Sequence, residues 1–524
     1  MSTVVNELCG WMTRTLGTDE LYTVPGEAFL PLLATADEYG MRTVTARHEG
    51  GAGFMAISAA RVSGHTGVVA VNRSPGSCNA SIAIDAAAAD PTPLLLLVGD
   101  IPTGADRRTA FQGADLAGMF GALATVITLS VAHLPEQLAE ATEILTGPVP
   151  QPVVMLVPED LWDAPAETVL LSTYPAESEV DIADLVSSLG RAERPVLLAG
   201  RLLRQRNTDR TTASTLAALA EAASLPVLVG NKQQDLMDNR HPNYAGHLHL
   251  GTPRAVRDRL AQADLVVLLG EEPDEVHMSG WTGPRVHVVH PEKQSVRAVL
   301  DALAAAPWSS VERREWIDGW HSLAEQLAQP HPRSFDDGVD LTHVASALDT
   351  HLPADSVITF DAGNFSSWIH RHVHAGPDRL MLGLGNGAMG FGVPAAVAAA
   401  NRLPDRTVVC VVGDGGLLMT GDELATARAL GHCPVIIVAD NGGYGTIDQH
   451  ARRRYPGQYC GTDLATPDLV KWAEAFGVPG ETVTTPDEVD GAVRRALAAG
   501  ANGYLLHVRT SLQAGHANNV EVNP

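Results

Sequence analysis

Short aliphatic and β-branched runs alternate with Ala-rich stretches along nearly the whole chain, and this alternation constrains the fold more than any other feature. Strand candidates at 21–24, 42–46, 67–72 and 94–98 accompany helical stretches at 49–62 and 77–89, and PVVMLVP at 152–158 closes the unit. Strands separated by helices and short Gly/Pro turns build a parallel sheet covered by helices. After a Pro/Glu-bearing linker at 165–181 the pattern restarts, with strands at 195–199, 226–230, 265–270 and 286–289 and helices at 211–223 and 252–263. Residues 292–336 read as a largely helical, polar connection. A third round has strands at 357–360, 380–384, 407–412, 435–439 and 504–508. The chain thus reads as α/β, with three doubly wound parallel-sheet domains over 1–165, 180–325 and 337–524.

Charge and cysteine usage exclude several function classes. Lys plus Arg number 36 against 61 Asp plus Glu, a net charge of −25 with no basic block, so nucleic-acid binding by phosphate neutralisation is not expected. The five cysteines, at 9, 78, 410, 433 and 460, form no CxxC pair, which disfavours disulfides and zinc ribbons and fits a reducing compartment. The longest aliphatic run covers 94–98, far short of the roughly 20 residues of a membrane span. No basic stretch followed by an apolar core opens the chain, so a cytoplasmic protein without a membrane partner is expected.

The sharpest local signal lies in the third unit. TVVCVV ends in Gly413-Asp414-Gly415-Gly416, a helix is predicted to Leu430, and PVIIVA ends in Asp440-Asn441-Gly442-Gly443. A right-handed crossover places the carboxyl ends of two such strands side by side, at the edge where α/β sheets bind ligands. Asp414 and Asn441, 27 residues apart, then offer hard oxygen donors suited to Mg²⁺ with a diphosphate, and the glycines admit phosphate oxygens to backbone N–H groups. The plainer alternative makes Asp414 a helix cap and the Gly runs simple turns. A rival pattern, Gly385-Asn386-Gly387-Ala388-Met389-Gly390, fits G-x-G-x-x-G and would suit an NAD(P)-dependent dehydrogenase, but it leaves Asn441-Gly442-Gly443 and the first unit without a role. In the first unit, Arg47-His48-Glu49-Gly50-Gly51 puts Glu49 at a helix start, where an acid also suits the dipole, and His48 reads as a helix-terminus residue.

Taken together these residues resemble the thiamine diphosphate-dependent 2-oxo acid decarboxylase and carboligase family, which includes acetolactate synthase, pyruvate oxidase and benzoylformate decarboxylase. The resemblance also runs through VPGEAF at 24–29, SPGSCNA at 74–80, AFQ at 110–112, DAGNFSSW at 361–368 and GAMGFGVPAA at 387–396. It implies a pyrimidine-binding, a central and a diphosphate-binding domain, with thiamine diphosphate and Mg²⁺ as cofactors. It implies Asp414, Asn441 and the Gly443 carbonyl as metal ligands, and Gly26, Gly76, Asn79, Asn364, Met389, Gly413, Gly415, Gly416 and Gly443 around the cofactor, Met389 enforcing its bend. Glu49 becomes the catalytic glutamate at the pyrimidine nitrogen, and the functional unit a homodimer or homotetramer with sites between subunits. Gln112, Thr446, Ile447 and His450 fall where relatives line the substrate pocket, the last three having a plain helix face as their alternative. Glu27 either faces the reaction centre as a second, buried carboxylate or acts as an N-terminal acid for a helix over 27–36.

Departures from the family limit the substrate. The turn Ala199-Gly200-Arg201-Leu202 lacks the Gly-rich signature of flavin-binding members, and Gly270-Glu271-Glu272-Pro273-Asp274 replaces an Arg-bearing segment of acetohydroxyacid synthases, so FAD and true acetolactate synthase activity are both doubtful. Little chain follows the last strand, which argues against a CoA substrate. His370, His372 and His374 share a face if extended, yet no neighbouring carboxylate or Cys completes a metal set, and they read as a solvated loop. The expected function is decarboxylation of a 2-oxo acid, or cleavage of a related ketol, with transfer to an aldehyde or ketone. A non-catalytic subunit of the same fold would have lost Glu49, Asp414 or Asn441, and all three are present.

Overall fold

Alternate residues of the central strands belong to opposite cores, the pattern of a sheet buried on both faces. In the first unit Val69, Val71, Leu96 and Val98 enter one core and Val68, Ala70, Leu95 and Leu97 the other. A computed structural model of the protein describes residues 2–169, 180–204, 211–278, 285–290, 295–308, 312–458 and 460–519. It contains three parallel sheets. The first runs in the order Arg42–Thr45, Glu20–Thr23, Gly67–Asn72, Leu94–Asp100, Val153–Pro158, Thr125–Thr128. The second runs Tyr244–His247, Val227–Val229, Pro195–Ala199, Leu265–Leu269, Arg285–Val289. The third runs Leu380–Leu382, Val357–Phe360, Val408–Gly413, Cys433–Asp440, Asn502–Arg509, Gly480–Val483.

Sequence reading missed three strands, Thr125–Thr128, Tyr244–His247 and Gly480–Val483, and each is an edge strand. Each has only four residues, interrupted by Thr, Gly or Glu, so no apolar run marks it. The helix foreseen from the Asp414 turn to Leu430 is broken: Asp414–Thr420 gives way to a 3₁₀ turn, Gly421–Glu423, before Leu424–Leu430. The stretch beginning at Pro165 is not free linker throughout. Pro165–Ala166 pairs antiparallel with Ser2–Thr3, and the Val169 amide donates to Glu7; residues 170–179 of that linker lie outside the described residues. All five cysteines are free.

The first and third units share one core. Helix Glu49–Ser63 is buried continuously from Gly50 to Ala60 and packs on Gly392–Arg402, buried from Gly392 to Asn401. Such helices show no polar face because protein surrounds them. Across this contact Ser58 Oγ donates to the Ala395 carbonyl at 2.9 Å, and on its other side the same helix approaches Arg73–Ala89 of its own unit so closely that a Cβ on Gly53 would meet the Ala83 Cβ at 2.3 Å.

The histidines at 370–374 do not form a solvated loop. His370 and His372 lie on helix Ser366–His372, against the central unit. The His370 ring stands edge-on to Phe360 with centroids 4.4 Å apart and contacts Gln234 at 2.9 Å, and His372 donates from Nδ1 to the Ala328 carbonyl at 2.9 Å. His374 pairs with Asp349 at 2.8 Å. Their partners come from distant parts of the chain, beyond the reach of local spacing.

Candidate functional site

Parallel pairing of Gly413 with Ala439 brings the ends of Val408–Gly413 and Cys433–Asp440 together. Just beyond them lies a cavity of about 230 Å³ lined by Asn364, Met389, Gly413, Asp414, Gly415, Gly416, Asn441, Gly443, Thr446 and Ile447. Asp414 is buried, 3% exposed, and starts helix Asp414–Thr420. Thr466 Oγ1 reaches both Asp414, at 3.2 Å, and Asp440, at 3.3 Å. Burial, and then the neighbouring Asp440 carboxylate, push the Asp414 carboxyl up to about 6. Asp440 moves the other way despite its burial, because His507 at 2.7 Å, the Gly442 amide and Arg509 all stabilise its charge. No cationic side chain pairs with Asp414 among the described residues. Asn441 Oδ1 accepts the Gly443 amide at 3.1 Å, closing a tight turn in which Gly442 has φ +71°.

The glycines make room. A Cβ on Gly416 would lie 2.2 Å from Asp361 Oδ2, and one on Gly415 2.8 Å from the Tyr444 ring. Buried Asp361 accepts the Gly390 amide at 2.8 Å and the Phe391 amide at 3.1 Å, fixing the loop that carries Met389. Burial raises its carboxyl, and those amides partly offset the rise. The Asn364 amide donates to Thr446 Oγ1 at 3.0 Å, and its Nδ2 to Gln449 at 2.9 Å. Helix Gly445–Arg454 has no buried residue, so Thr446 and Ile447 face the cavity rather than a core. His450 does not line the cavity and contacts Arg453 at 3.2 Å.

The first-unit residues form a separate constellation. Glu49 begins helix Glu49–Ser63, with the His48 Nδ1 accepting the Gly50 amide at 3.0 Å as its cap. Asn79 Nδ2 donates to Glu49 Oε2 at 2.8 Å, and a Cβ on Gly76 would sit 3.1 Å from Glu49 Oε1. The VPGE turn is pinned by Asn72: its Oδ1 accepts the Ala28 amide at 3.0 Å, and a Cβ on Gly26 would meet the Asn72 Cβ at 2.3 Å. Asn72 Nδ2 donates to Gln112 at 3.2 Å, and Gln112 has φ +57°. Glu27 is 67% exposed within the chain and lies 3.8 Å from Arg73, at the start of a 3₁₀ turn, Glu27–Phe29, that precedes helix Leu30–Thr35. The burial that would make it a second acid beside Glu49 is not present in a single chain. None of Gly26, Glu27, Glu49, Gly76, Asn79 or Gln112 lines the Asp414 cavity.

The dinucleotide reading of residues 385–390 finds no support in this geometry. Leu380–Leu382, the strand before them, is an edge strand, and the Gly385 amide already donates to Asp90 of the first unit at 3.1 Å.

Models of the thiamine pyrophosphate enzyme N-terminal, central and C-terminal domains match residues 3–119, 182–301 and 361–508 in that order. The chain belongs to the thiamine diphosphate-dependent 2-oxo acid decarboxylase and carboligase family. The acetolactate synthase isozyme 2 large subunit of Escherichia coli is 28% identical, with 94% of this chain and 93% of that protein covered. The acetolactate synthase large subunit of Corynebacterium glutamicum is 28% identical over 92% of this chain and 82% of that one. A 4-hydroxybenzoylformate decarboxylase of Rhodococcus jostii shares the fold, with a TM-score of 0.83 at 24% identity over 97% of this chain and 99% of that one. Sequence reading passed over Asp361, Asp440, Thr466 and Asn72. Asp361 and Asp440 stand in the quoted motifs, but nothing in a motif says that these carboxylates face inward to hold a loop.

Proposed function

We propose that the protein is a thiamine diphosphate- and Mg²⁺-dependent enzyme that decarboxylates a 2-oxo acid, or cleaves a related ketol, and passes the acyl unit to a proton or to an aldehyde or ketone. The observation that carries this reading is the single cavity that gathers Asp414, Asn441, Gly443, Asn364 and Met389 at the ends of two adjacent strands. Its donor set fits a hard cation: a buried carboxylate without a cationic partner, an amide oxygen and a main-chain carbonyl. Gly413, Gly415 and Gly416 line the cavity at the start of helix Asp414–Thr420, where backbone amides suit a diphosphate. The division of labour follows the sheets, with 1–165 holding the pyrimidine, 337–524 the diphosphate and 180–325 between them.

Bound thiamine diphosphate supplies a carbon nucleophile and a sink for the electrons left by CO₂ loss. Asp414, Asn441 and the Gly443 carbonyl would hold the metal, and Asn364 with the amides of Gly413, Gly415 and Gly416 would orient the phosphates. Met389, on a loop clamped by Asp361, would support the cofactor from below. Glu49, kept in orientation by Asn79, would hold and return a proton at the pyrimidine nitrogen. Ile447, 55% exposed, would give the substrate an apolar wall beside Thr446, with Gln112 of a second copy opposite and His450 one turn further along the same helix, outside the cavity of the single chain.

Two half-sites on separate faces of one chain call for a second copy, and a homodimer, alone or paired into a tetramer, joins the Glu49 face of one to the Asp414 face of the other. Exposed apolar side chains mark both faces: Leu418 and Met419 on the Asp414 helix, Ile82 and Phe111 beside the Glu49 region. No described helix is long and apolar enough to cross a membrane, and the free cysteines suit the cytoplasm.

FAD is left out of this reading on chemical grounds. A nucleotide would enter the central sheet at its switch point, between Pro195–Ala199 and Leu265–Leu269. Glu271 fills that crevice: Cβ atoms on Gly200 and Gly230 would lie 2.3 Å from its Cβ and 2.5 Å from its Oε2. It pairs with Arg201 at 3.1 Å and would oppose a phosphate.

The test is differential stabilisation followed by turnover. Thiamine diphosphate with Mg²⁺ is expected to raise Tm, whereas NAD or NADP is not; a panel of 2-oxo acids with and without aldehydes then identifies donor and acceptor through CO₂ and product. A Tm raised by NAD or NADP alone would overturn the proposal.

A further inference from the structure

Glu423 is completely buried, yet its ties run away from the unit that carries it. It ends the 3₁₀ turn that interrupts the helix begun by Asp414. Its Oε1 accepts the backbone amides of Arg47 at 3.0 Å and His48 at 3.1 Å, and its Oε2 accepts Arg47 again at 3.2 Å and the Thr426 hydroxyl at 2.6 Å. A Cβ on Gly51 would stand 2.3 Å from Oε1, so the Arg47–Gly51 segment is built around this carboxylate. The same turn is tied to the Met389 loop, because Thr420 Oγ1 donates to the Gly390 carbonyl at 2.8 Å.

We infer that Glu423 is a positioning residue for Glu49: a carboxylate from the third unit fixes where the Glu49 helix begins. The inference rests on the reading of Glu49 as the proton-handling group. A buried anion at a helix N-terminus is favoured by the helix dipole, and bonds from main-chain amides to a charge are stronger than neutral ones. With both oxygens of one carboxylate shared between consecutive amides, the chain entering the helix has little freedom to rotate. Glu49 is the next residue, and among the described residues its side chain is hydrogen-bonded by Asn79 alone. Loss of Glu423 therefore frees the backbone on one side of the glutamate while leaving the Asp414 cavity lined as before. In a dimer whose sites join unlike faces, Glu423 serves the site opposite to the one its own Asp414 serves.

The experiment compares Glu423→Gln with wild type and Glu49→Gln. In the apo protein, amide hydrogen exchange over residues 44–52 is expected to speed up about tenfold or more in Glu423→Gln, and not in Glu49→Gln. In the holoenzyme, Glu423→Gln is expected to bind thiamine diphosphate and Mg²⁺ with unchanged affinity but to exchange the thiazolium proton at least tenfold more slowly. Thr426→Val, which removes one bond to the carboxylate, is expected to show the same two effects at smaller amplitude and serves where Glu423→Gln folds poorly. Wild-type exchange over 44–52 in Glu423→Gln, or a wild-type thiazolium rate in that variant beside a slow Glu49→Gln, would overturn the assignment. A wild-type thiazolium rate in both variants would instead refute the role of Glu49 itself, and the inference with it.

Discussion

Acid is expected to unfasten the protein where the central and third units meet. His247, His249 and His370 line a cavity of about 80 Å³ there, with His247 and His249 stacked 5.0 Å apart and His516 stacked on His249 at 6.0 Å, and His372 follows His370 on the same helix. Burial depresses all five imidazoles. His247, His372 and His516 fall from 6.5 to about 4, and His249 and His370 move the same way with help from their neighbours' charge. Facing groups add mainly positive charge, from Arg371, Arg257, Arg240 and Lys232, against Glu325, Asp340 and Asp349. Because the folded pKa lies below the unfolded one, the unfolded chain binds more protons between pH 6.5 and 4, and stability falls as pH falls through that window. At pH 5 each of the three imidazoles with a value near 4 costs about 2 kcal/mol, together about 6 kcal/mol, comparable with the ~5–15 kcal/mol that holds a typical domain. Urea titrations at pH 7, 6 and 5 measure the loss. His247→Asn and His516→Asn each remove one proton site, so each variant should lose about 2 kcal/mol less than wild type between pH 7 and 5, whatever its stability at pH 7. Parallel stability curves for wild type and both variants, or an acid transition confined below pH 4, would refute the reasoning.

Other expectations concern the proposed site. Glu49→Gln keeps shape but not the proton exchange, and should bind cofactor while slowing thiazolium exchange by about 10² to 10⁴, read by NMR after acid quench. Asp414→Asn removes the anionic donor and should abolish the Mg²⁺-dependent part of the Tm rise given by thiamine diphosphate; an unchanged rise would remove Asp414 from the metal site. Gly416→Ala forces a methyl group against Asp361, which clamps the Met389 loop, and should cost about 1–3 kcal/mol in urea unfolding together with cofactor affinity. Glu27→Gln should leave cofactor binding and thiazolium exchange intact and slow product formation after CO₂ release if a partner subunit buries it; unchanged turnover would assign Glu27 to the turn it begins.

The three sheets were legible because every central strand is buried on both faces, and such strands write themselves into sequence as aliphatic runs. Gly67–Asn72 and Pro195–Ala199 have the limits that pattern predicts, whereas the short, only partly buried Thr125–Thr128 and Gly480–Val483 left no trace. The residues gathered at the Asp414 cavity were legible for a related reason: strand ends and Gly turns are local, and a crossover rule converts them into neighbours. What local rules cannot reach is a contact between units. Glu423 reads as one more acid in a helix because its main-chain partner Arg47 stands 376 residues away, and the histidines at 370–374 read as solvated because their partners lie 25 to 136 residues away.

That blind spot has a physical origin that also bears on how the protein works. Local motifs report what a residue can bind, but orientation is set by whatever packs behind it, and here part of that packing comes from another unit. Asp90 of the first unit accepts the Gly385 amide in front of the Met389 loop, and Glu423 of the third holds the approach to Glu49. Asp90 in turn pairs with Arg61 at 2.6 Å, on the Glu49 helix. The first and third units of one chain are therefore fastened to each other at both ends of that helix, by carboxylates sunk in a common core. A rigid pair of this kind cannot close its own Glu49 face onto its own Asp414 face by hinging, because that would break both anchors. In the proposed dimer a second chain would join the two faces, and the stiffness of the monomer supports that proposal beside its exposed apolar side chains.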